Sequence, residues 1–538
     1  MRKFLKFISS RLVWTFLFIF LQLGILYVSL RYAESYFSLS LFNFVLSMVF
    51  SFAIFTRDDA PEYKISWIFL ISALPIFGCF MYMIFGNKKK SRWEKRRIAS
   101  YQELMNTHSI GDYPPIGVPS EEVLSEDDLR LQKYLTNVTG SIVYEATQVD
   151  YYPLGDYCYP VMLQELEKAK KFIFMEYFIY ENGDFWGNVL EILKRKVSQG
   201  VDVRILYDDM GSINTLPYKY YKELRSYGIK AVAFNPVRPR LNPRLNYRDH
   251  RKVCIVDGNT AISGGINIAD EYINHKIRFG HWKDNAFILR GSGVWNYTFM
   301  FLQLWQFVAP RSYVVDDFSP YYPTEKKDND GYVQSFGDSP LDDFNIAENA
   351  YIHVLNAAKD YVWIATPYLI LDSTMVNALV LAAQSGVDVR LITPSIPDKR
   401  IVFSLTQSNY MKLLANGIRV FEYVPGFIHS KMFVSDDKRA IVGTTNMDFR
   451  SFFLRKRIRL LRRQRCPVRQ GRFRRHFQIV QRGHFGRCKQ KIPSNEANGA
   501  GCKIGCTSSL ADAMIQVSFY KLFEALLPKE FKWTIFRR

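Results

Sequence analysis

Three long apolar runs open the chain, over residues 12–30, 35–56 and 65–87, and none contains a charged residue. Each is long enough to cross a hydrocarbon layer of about 30 Å as a helix. The pattern therefore predicts an N-terminal anchor, residues 1–97, of two or three transmembrane helices with a basic flank. A cleaved leader does not fit the first run, which is too long and has no small-residue cleavage site after it. The string "NKKKSRWEKRR" after the third run predicts a cytoplasmic location for the rest of the chain. Arg2, Lys3, Lys6 and Arg11 argue for the same side at the N-terminus. Three crossings satisfy only one of these clusters, and the larger one governs.

Residues 98–140 are mixed polar and charged, with "GDYPPIGVP", and read as a linker. Beyond them the periodicity alternates. "KFIFMEYFIY" is a strand-like apolar run, "FWGNVLEILKRKVSQG" has helical spacing and ends in Gly, and "VDVRILYDD" is strand-like again. The order returns as "DYVWIATPYLI", "DSTMVNALVLAAQSG" and "VDVRLITP". "QGVDVRILY" at 199–207 and "SGVDVRLIT" at 385–393 are near copies, 186 residues apart. They mark an internally duplicated α/β unit, with one copy over 141–325 and the other over 326–454. Alternating strands and helices predict mostly parallel sheets with helices on their faces.

One short motif repeats with the same offset. "DHRKVCIVDG" holds His250, Lys252 and Asp257; "GFIHSKMFVSDD" holds His429, Lys431 and Asp436. Both read H-x-K-x-x-x-x-D, and the two histidines are 179 residues apart. One such string in a basic chain is an accident of composition. Two at equivalent places of a duplicated fold are not. "VCIV" and "MFV" are buried-strand runs, and Asp257-Gly258 and Asp436-Asp437 are turn residues. "ISGGINIADEY" and "IVGTTNMDFRSF" then bring a second strand to small residues and to Asn267 and Asn446. In a strand, residues two apart share a face, so each His–Lys pair converges on one oxygen-rich group. A neutral His attacks phosphorus, and a second His protonates the departing alkoxide. Two Lys and two Asn are donors for the non-bridging oxygens of a phosphodiester. That supply of positive charge calls for no metal or other cofactor, and no cluster of carboxylates or Cys/His has metal-ligand spacing.

Charge changes the picture at the C-terminus. The net charge is +20, which suits a nucleic-acid or acidic-membrane binder. Yet residues 455–538 hold 21 Lys and Arg against 4 Asp and Glu, while the other 454 residues hold 50 against 47. The catalytic stretch is nearly neutral, which argues against a nuclease, and no nucleic-acid partner is expected. Cysteine divides the same way. Cys466, Cys488, Cys502 and Cys506 lie in the tail, whereas Cys79, Cys158 and Cys254 read as reduced core thiols.

The duplicated motif, together with "GGIN" and "GTTN", resembles the phospholipase D superfamily. Residues from about 60 to 454 are similar to bacterial cardiolipin synthases, through "SWIFLISALPIFGCFMYMIFG", "VDVRILYDDMGS", "HWKD", "TPYLI", "NGIRVFEYVPGFIHSK" and "TTNMDFRSF". The resemblance implies two paired phospholipase D-like domains packed as a pseudo-dimer around one active site. It implies transfer of a phosphatidyl group from one phosphatidylglycerol to another, giving cardiolipin and glycerol, in a multi-pass protein of the cell membrane. His250 is then the nucleophile that forms a phosphohistidine, and His429 the acid and base, with those two roles exchangeable by near-symmetry. Lys252, Lys431, Asn267 and Asn446 bind phosphoryl oxygens. Asp257 and Asp436 shape the strand exit, and Asp284 of "HWKD" orients His250. Another phosphatidyl transferase or a hydrolase of the same type, or a non-catalytic membrane-anchored binding protein, are the competing readings. Oligomeric state is not legible.

After "DFRSFFL" the resemblance stops. The family continues with a Glu, a strand and a helix; here Arg457 stands where the Glu is expected. A polybasic lipid-binding tail, a nucleic-acid arm and an out-of-frame segment compete, and the abrupt change in charge and Cys content favours the last. The expectation is a second domain lacking its C-terminal part, a sheet with an uncovered edge, a poorly ordered stretch from about 455 to 510, and a short helix in "VSFYKLFEALLPKEF".

Overall fold

The computed structural model describes residues 37–86 apart from 58 and 60, 124–237, 248–327, 331–338, 345–448 and 455–462, together with residues 20, 24 and 27. The chain divides into two compact units, Met1–Thr107 with Asn235–Arg248, and His108–Phe234 with Asp249–Arg538.

In the first unit the second and third apolar runs become three helices, α1 (Phe37–Phe55), α2 (Pro61–Ala73) and α3 (Pro75–Met81), and then a π-helical turn, Tyr82–Gly86. They pack on a small core of Ile54, Ile71, Cys79 and Tyr82. Among the described residues no helix is long and apolar enough to cross a membrane, which corrects the expectation of spanning helices for these two runs. Pro75, which cannot continue the hydrogen-bond ladder of α2, splits the third run into helices of 13 and 7 residues. Along α1, Asn43, Ser47 and Ser51 recur every fourth residue as a polar stripe, and Ser47 donates to the Ile71 carbonyl. The first run, the basic string after residue 86 and the linker up to residue 123 lie outside the described residues.

The second unit begins with helix α4 (Glu126–Thr139) and holds the duplication. Its first domain has strands β1 (Thr147–Tyr152), β2 (Phe172–Tyr177), β3 (Asp202–Asp208), β4 (Lys230–Phe234), β5 (Lys252–Val256), β6 (Thr260–Gly264) and β7 (Ala286–Gly291). Their order across the sheet is β1-β7-β6-β5-β2-β3-β4. The second domain has β8 (Gln334–Asp338), β9 (Tyr361–Ala365), β10 (Asp388–Pro394), β11 (Arg419–Tyr423), β12 (Met432–Ser435), β13 (Arg439–Gly443) and β14 (Arg455–Arg462). Their order, β8-β14-β13-β12-β9-β10-β11, repeats the first strand for strand.

Both sheets are mixed, which corrects the expectation of mostly parallel ones. Only β2-β3-β4 and β9-β10-β11 run parallel; the other pairings are antiparallel. Tight turns cause this. Asp257 and Gly258 (φ 51° and 71°) and Asp436 and Asp437 (φ 52° and 53°) are left-handed pairs that reverse β5 into β6 and β12 into β13. The periodicity placed two of the helical crossovers, α5 (Asp184–Ser198) between β2 and β3 and α6 (Ser373–Gln384) between β9 and β10; shorter helices join β3 to β4 and β10 to β11. Both α5 and α6 lead to a left-handed glycine, Gly200 and Gly386 (φ 87° and 93°), at the head of the near-copied strand.

Two findings concern the ends of the duplication. Helix α4 lies inside the expected linker. It is capped by Ser125 and Gly140, and its Leu131 and Leu135 enter the core of the second domain. At the other end, β14 occupies the place that the tail's composition predicts to be empty. It pairs with both β8 and β13, so the second sheet has no uncovered edge there. Arg457-Ile458-Arg459-Leu460 is a period-2 pattern that a composition argument overlooks. The remainder of the tail, with its candidate helix, lies outside the described residues. Cys79, Cys158 and Cys254 are buried free thiols, as expected.

Candidate active site

Each His–Lys pair begins a strand. Lys252 opens β5 opposite Tyr177, so His250 lies just beyond the C-terminal end of β2; His429 and Lys431 hold the matching place before β12. All four side chains are buried. Lys252 Nζ donates to the His250 carbonyl at 3.0 Å, and Lys431 does the same to His429, so each ammonium is folded back onto the backbone of its own histidine. Arg251 between them takes the opposite face, where it meets Glu176 at 2.7 Å and the Met300 carbonyl.

The third residue of the motif is not at the site. Asp257 lies past the far end of β5, where its carboxylate accepts the backbone N–H groups of Lys170, Lys171 and Phe172, each at 2.8 Å. Asp436 accepts those of Lys359, Asp360 and Tyr361 at 2.9, 3.0 and 2.8 Å. Both carboxylates tie the start of a neighbouring strand to a turn. This is the strand-exit role expected of them, and it separates them from the reacting groups.

Asp284 is where the structure departs most from the sequence reading. The sequence puts it beside His250; in the structure its Oδ2 lies 2.6 Å from Nδ1 of His429, 145 residues away. A two-stranded parallel ladder between the domains causes this, with His281–Lys283 paired to Gly426–Ile428 and the His429 N–H donating to the Lys283 carbonyl at 2.7 Å. Spacing along one domain could not show it. Asp284 is fully buried, and Gly265 leaves it room: a Cβ at that glycine would stand 1.9 Å from Asp284 Oδ1.

His429 is enclosed by Trp282, Tyr272 and Phe427, with ring centroids 5.5, 5.6 and 5.8 Å away. Burial first, and Lys431 second, push its pKa down to about 4, against the opposing pull of Asp284. The imidazole is therefore neutral at pH 7, and Asp284 selects the tautomer with the proton on Nδ1, leaving the Nε2 lone pair free. Phe178 packs on His250 at 4.8 Å. Burial also brings Lys283 down to about 7.

The two asparagines differ. Asn267 accepts from Ile179 N and donates to the Tyr272 hydroxyl at 3.1 and 2.6 Å, so most of its amide holds the fold around the site. Asn446 is buried, and its Oδ1 has no hydrogen-bond partner among the described residues. Sequence reasoning missed Tyr272, Trp282 and Asp208. Asp208 accepts from the Asp249 N–H at 3.0 Å and from Met210 and Gly211, which fixes the backbone leading into His250. "HWKD" and "YDDMGS" carry Trp282 and Asp208, but only packing reveals their use.

The register also locates the counterpart of Asp284. Gly264 faces Ala286 in the first sheet, and Gly443 faces Arg459 in the second. The residue two before Ala286 is Asp284, and the residue two before Arg459 is Arg457. The second sheet thus repeats the register of the first, with an arginine at the position that Asp284 holds in the first.

Comparison with known proteins agrees with this duplicated site. The family model described as cardiolipin synthase, PLD-like domain, matches residues 162–278 and 351–464, and an N-terminal phospholipase D-nuclease model matches 45–87. Cardiolipin synthase 2 of Bacillus cereus is 34% identical over 406 residues, covering 74% of this chain and 77% of that one. The cardiolipin synthase of Geobacillus thermodenitrificans is 34% identical over 412 residues, covering 76% and 81%. A phosphatidylserine synthase of Haemophilus influenzae shares the fold, with a TM-score of 0.52 at 14% identity over 75% of this chain and the whole of that one. With two phospholipase D-like repeats, one His–Lys pair in each, and this level of identity over three quarters of its length, the chain belongs to the cardiolipin synthase family of phospholipase D type.

Proposed function

We propose that the chain is a phosphatidyltransferase that makes cardiolipin and glycerol from two molecules of phosphatidylglycerol. His250 attacks phosphorus, a P–N bond forms, and the bond to the glycerol headgroup breaks. His429, which takes up a proton at Nε2 from solvent as the anionic phosphodiester binds, gives that proton to the departing glycerol oxygen. The free hydroxyl of a second phosphatidylglycerol then loses its proton to His429 and attacks phosphorus, releasing His250. Lys252 and Lys431 balance charge on the non-bridging oxygens, and the anionic phosphodiester raises the proton affinity of His429 as it binds. One observation carries the division of roles. The buried carboxylate of Asp284 lies 2.6 Å from His429 Nδ1, which suits a residue that must become an imidazolium and return.

The N-terminal unit is proposed to sit in lipid through the apolar face of α1, where Phe44, Met48, Val49, Phe52 and Phe55 are 58–70% exposed. The basic string at 87–97 suits an anionic leaflet on the cytoplasmic side.

The test is a trapping experiment. Phosphorus-labelled phosphatidylglycerol is mixed with the enzyme and quenched under alkaline conditions that preserve phosphohistidine. Label is expected on His250 and is lost in His250→Ala. Label on His429 instead would reverse the two roles, and turnover close to normal in either His→Ala variant would remove the two-histidine mechanism.

A further inference from the structure

The histidines are only 5% and 7% exposed, yet under the proposed function their substrate starts in a bilayer. Several large apolar side chains are exposed on the segments that carry or adjoin the site. Ile277 is 85% exposed at a loop tip between Lys276 and Arg278, seven residues before Asp284. Ile396, 39% exposed, has its Cδ1 3.2 Å from the position a Cβ would take on Gly280, at the base of that loop. Val424, also 39% exposed, precedes Pro425, whose carbonyl accepts the His281 N–H. Beyond Ile396, helix α7 (Arg400–Ser408) turns Ile401 and Leu405 outward at 80% and 45% exposure, and Met411 after it is 75% exposed.

These positions are built into the site rather than scattered. Thr406 on the inner side of α7 accepts the Leu369 N–H, and Asn409 donates to the Leu369 carbonyl, at 3.1 and 2.9 Å. Leu369 in turn pairs with Met447, the neighbour of Asn446. The loop of Ile277 leads directly into the strand that delivers Asp284 to His429. Arg400 and Lys412 flank the apolar positions of α7, while Lys276 and Arg278 beside Ile277 are each paired with a carboxylate, Glu181 and Glu271. Exposed isoleucine and methionine side chains beside basic residues have the chemistry of an interfacial lipid contact, in which cations meet anionic headgroups and apolar side chains enter the acyl boundary.

Resting on the reading of the site as a phosphatidyltransferase, we infer that this face of the catalytic unit, from Ile277 to the α7 surface, docks on an anionic phospholipid bilayer and holds the two histidines at the headgroup level. A second copy of the chain and another protein are the occupants that the inference excludes.

The full-length chain in vesicles containing phosphatidylglycerol is compared with Ile277→Glu/Ile401→Glu. Turnover of long-chain phosphatidylglycerol should fall about tenfold or more in the variant. Turnover of a short-chain phosphatidylglycerol below its micelle concentration should change less than about twofold, because a dissolved lipid needs no docking. Amide exchange of the unsubstituted chain should slow at 274–280 and 396–412 with phosphatidylglycerol vesicles, and not with phosphatidylcholine vesicles. Unchanged vesicle turnover overturns the inference. So does absence of lipid-dependent protection, including protection already present without lipid, which would point to a protein covering the face. A variant that loses both substrates is decided by the exchange result. Failure of the unsubstituted chain on both substrates removes the proposed activity, and the exchange measurement still decides the docking face.

Discussion

Asp284→Asn removes one charge and almost no volume from a fully buried position, and it tests the proposed acid–base role of His429 against mere packing. The carboxylate Oδ2 is 2.6 Å from His429 Nδ1, which puts the two charge centres about 4 Å apart once the imidazole is protonated. At an effective dielectric of about 20, such a pair is stabilised by about 4 kcal/mol. The imidazole already resists protonation, with a pKa pushed down to about 4 by burial and by Lys431, and Asp284 is the group that opposes this. Without its charge, the proton affinity of His429 falls further. Expressed fully in the step where His429 acts as acid, the loss is about a thousandfold in kcat/KM for phosphatidylglycerol. The assay pairs that substrate with its p-nitrophenyl phosphatidyl analogue, whose leaving group needs no proton. The loss with the analogue should be less than about tenfold, and urea unfolding should show the variant folded. An equal loss on both substrates would show that Asp284 only positions the domains. A loss below about tenfold on phosphatidylglycerol would refute the acid–base assignment altogether.

Three further outcomes rest on the geometry. Asp436→Ala leaves three backbone N–H groups without their acceptor and should cost roughly 2–3 kcal/mol in urea unfolding. Its kcat, measured well below the unfolding transition, should stay within about twofold, since a carboxylate at the far end of β12 touches no reacting atom; a loss approaching that of His429→Ala would place it in the chemistry. Arg457→Glu restores a carboxylate at the register position equivalent to Asp284 and should raise kcat/KM about tenfold or more; equal activity would show that the arginine is tolerated there. His429 also makes stability pH-dependent. Its folded pKa of about 4 lies below the ordinary 6.5, so its contribution is complete above pH 6.5 and is lost as pH falls towards 4. Between pH 7 and 5 the protein should lose about 2 kcal/mol more than His429→Gln does, and parallel losses would contradict the burial of a neutral imidazole.

The amino-acid sequence by itself determined the local features. Period and turn chemistry marked the duplicated unit, because "VDVRILY" and "VDVRLIT" carry the same buried alternation behind the same glycine. Offsets of two placed His250 with Lys252 and His429 with Lys431, because a strand sends alternate residues to one side. Their Asp partners belonged to the strand exits for an equally local reason, since Asp-Gly and Asp-Asp are turn residues, whereas the backbone N–H groups that each carboxylate accepts come from a neighbouring strand. Tertiary structure decided everything that crosses between elements. Asp284 reaches His429 because a ladder between the domains joins residues 281–283 to 426–428, a contact without a signature in either segment alone. Pro75 divided the third apolar run into helices of 13 and 7 residues, and Ser47 of the polar stripe ties α1 to them through the Ile71 carbonyl, neither of which a window average over 20 residues resolves. β14 formed from an arginine-rich stretch because β8 and β13 present open hydrogen-bonding edges on both sides of it. A strand's place in a sheet depends on the neighbours that pair with its backbone, whereas composition describes only its side chains.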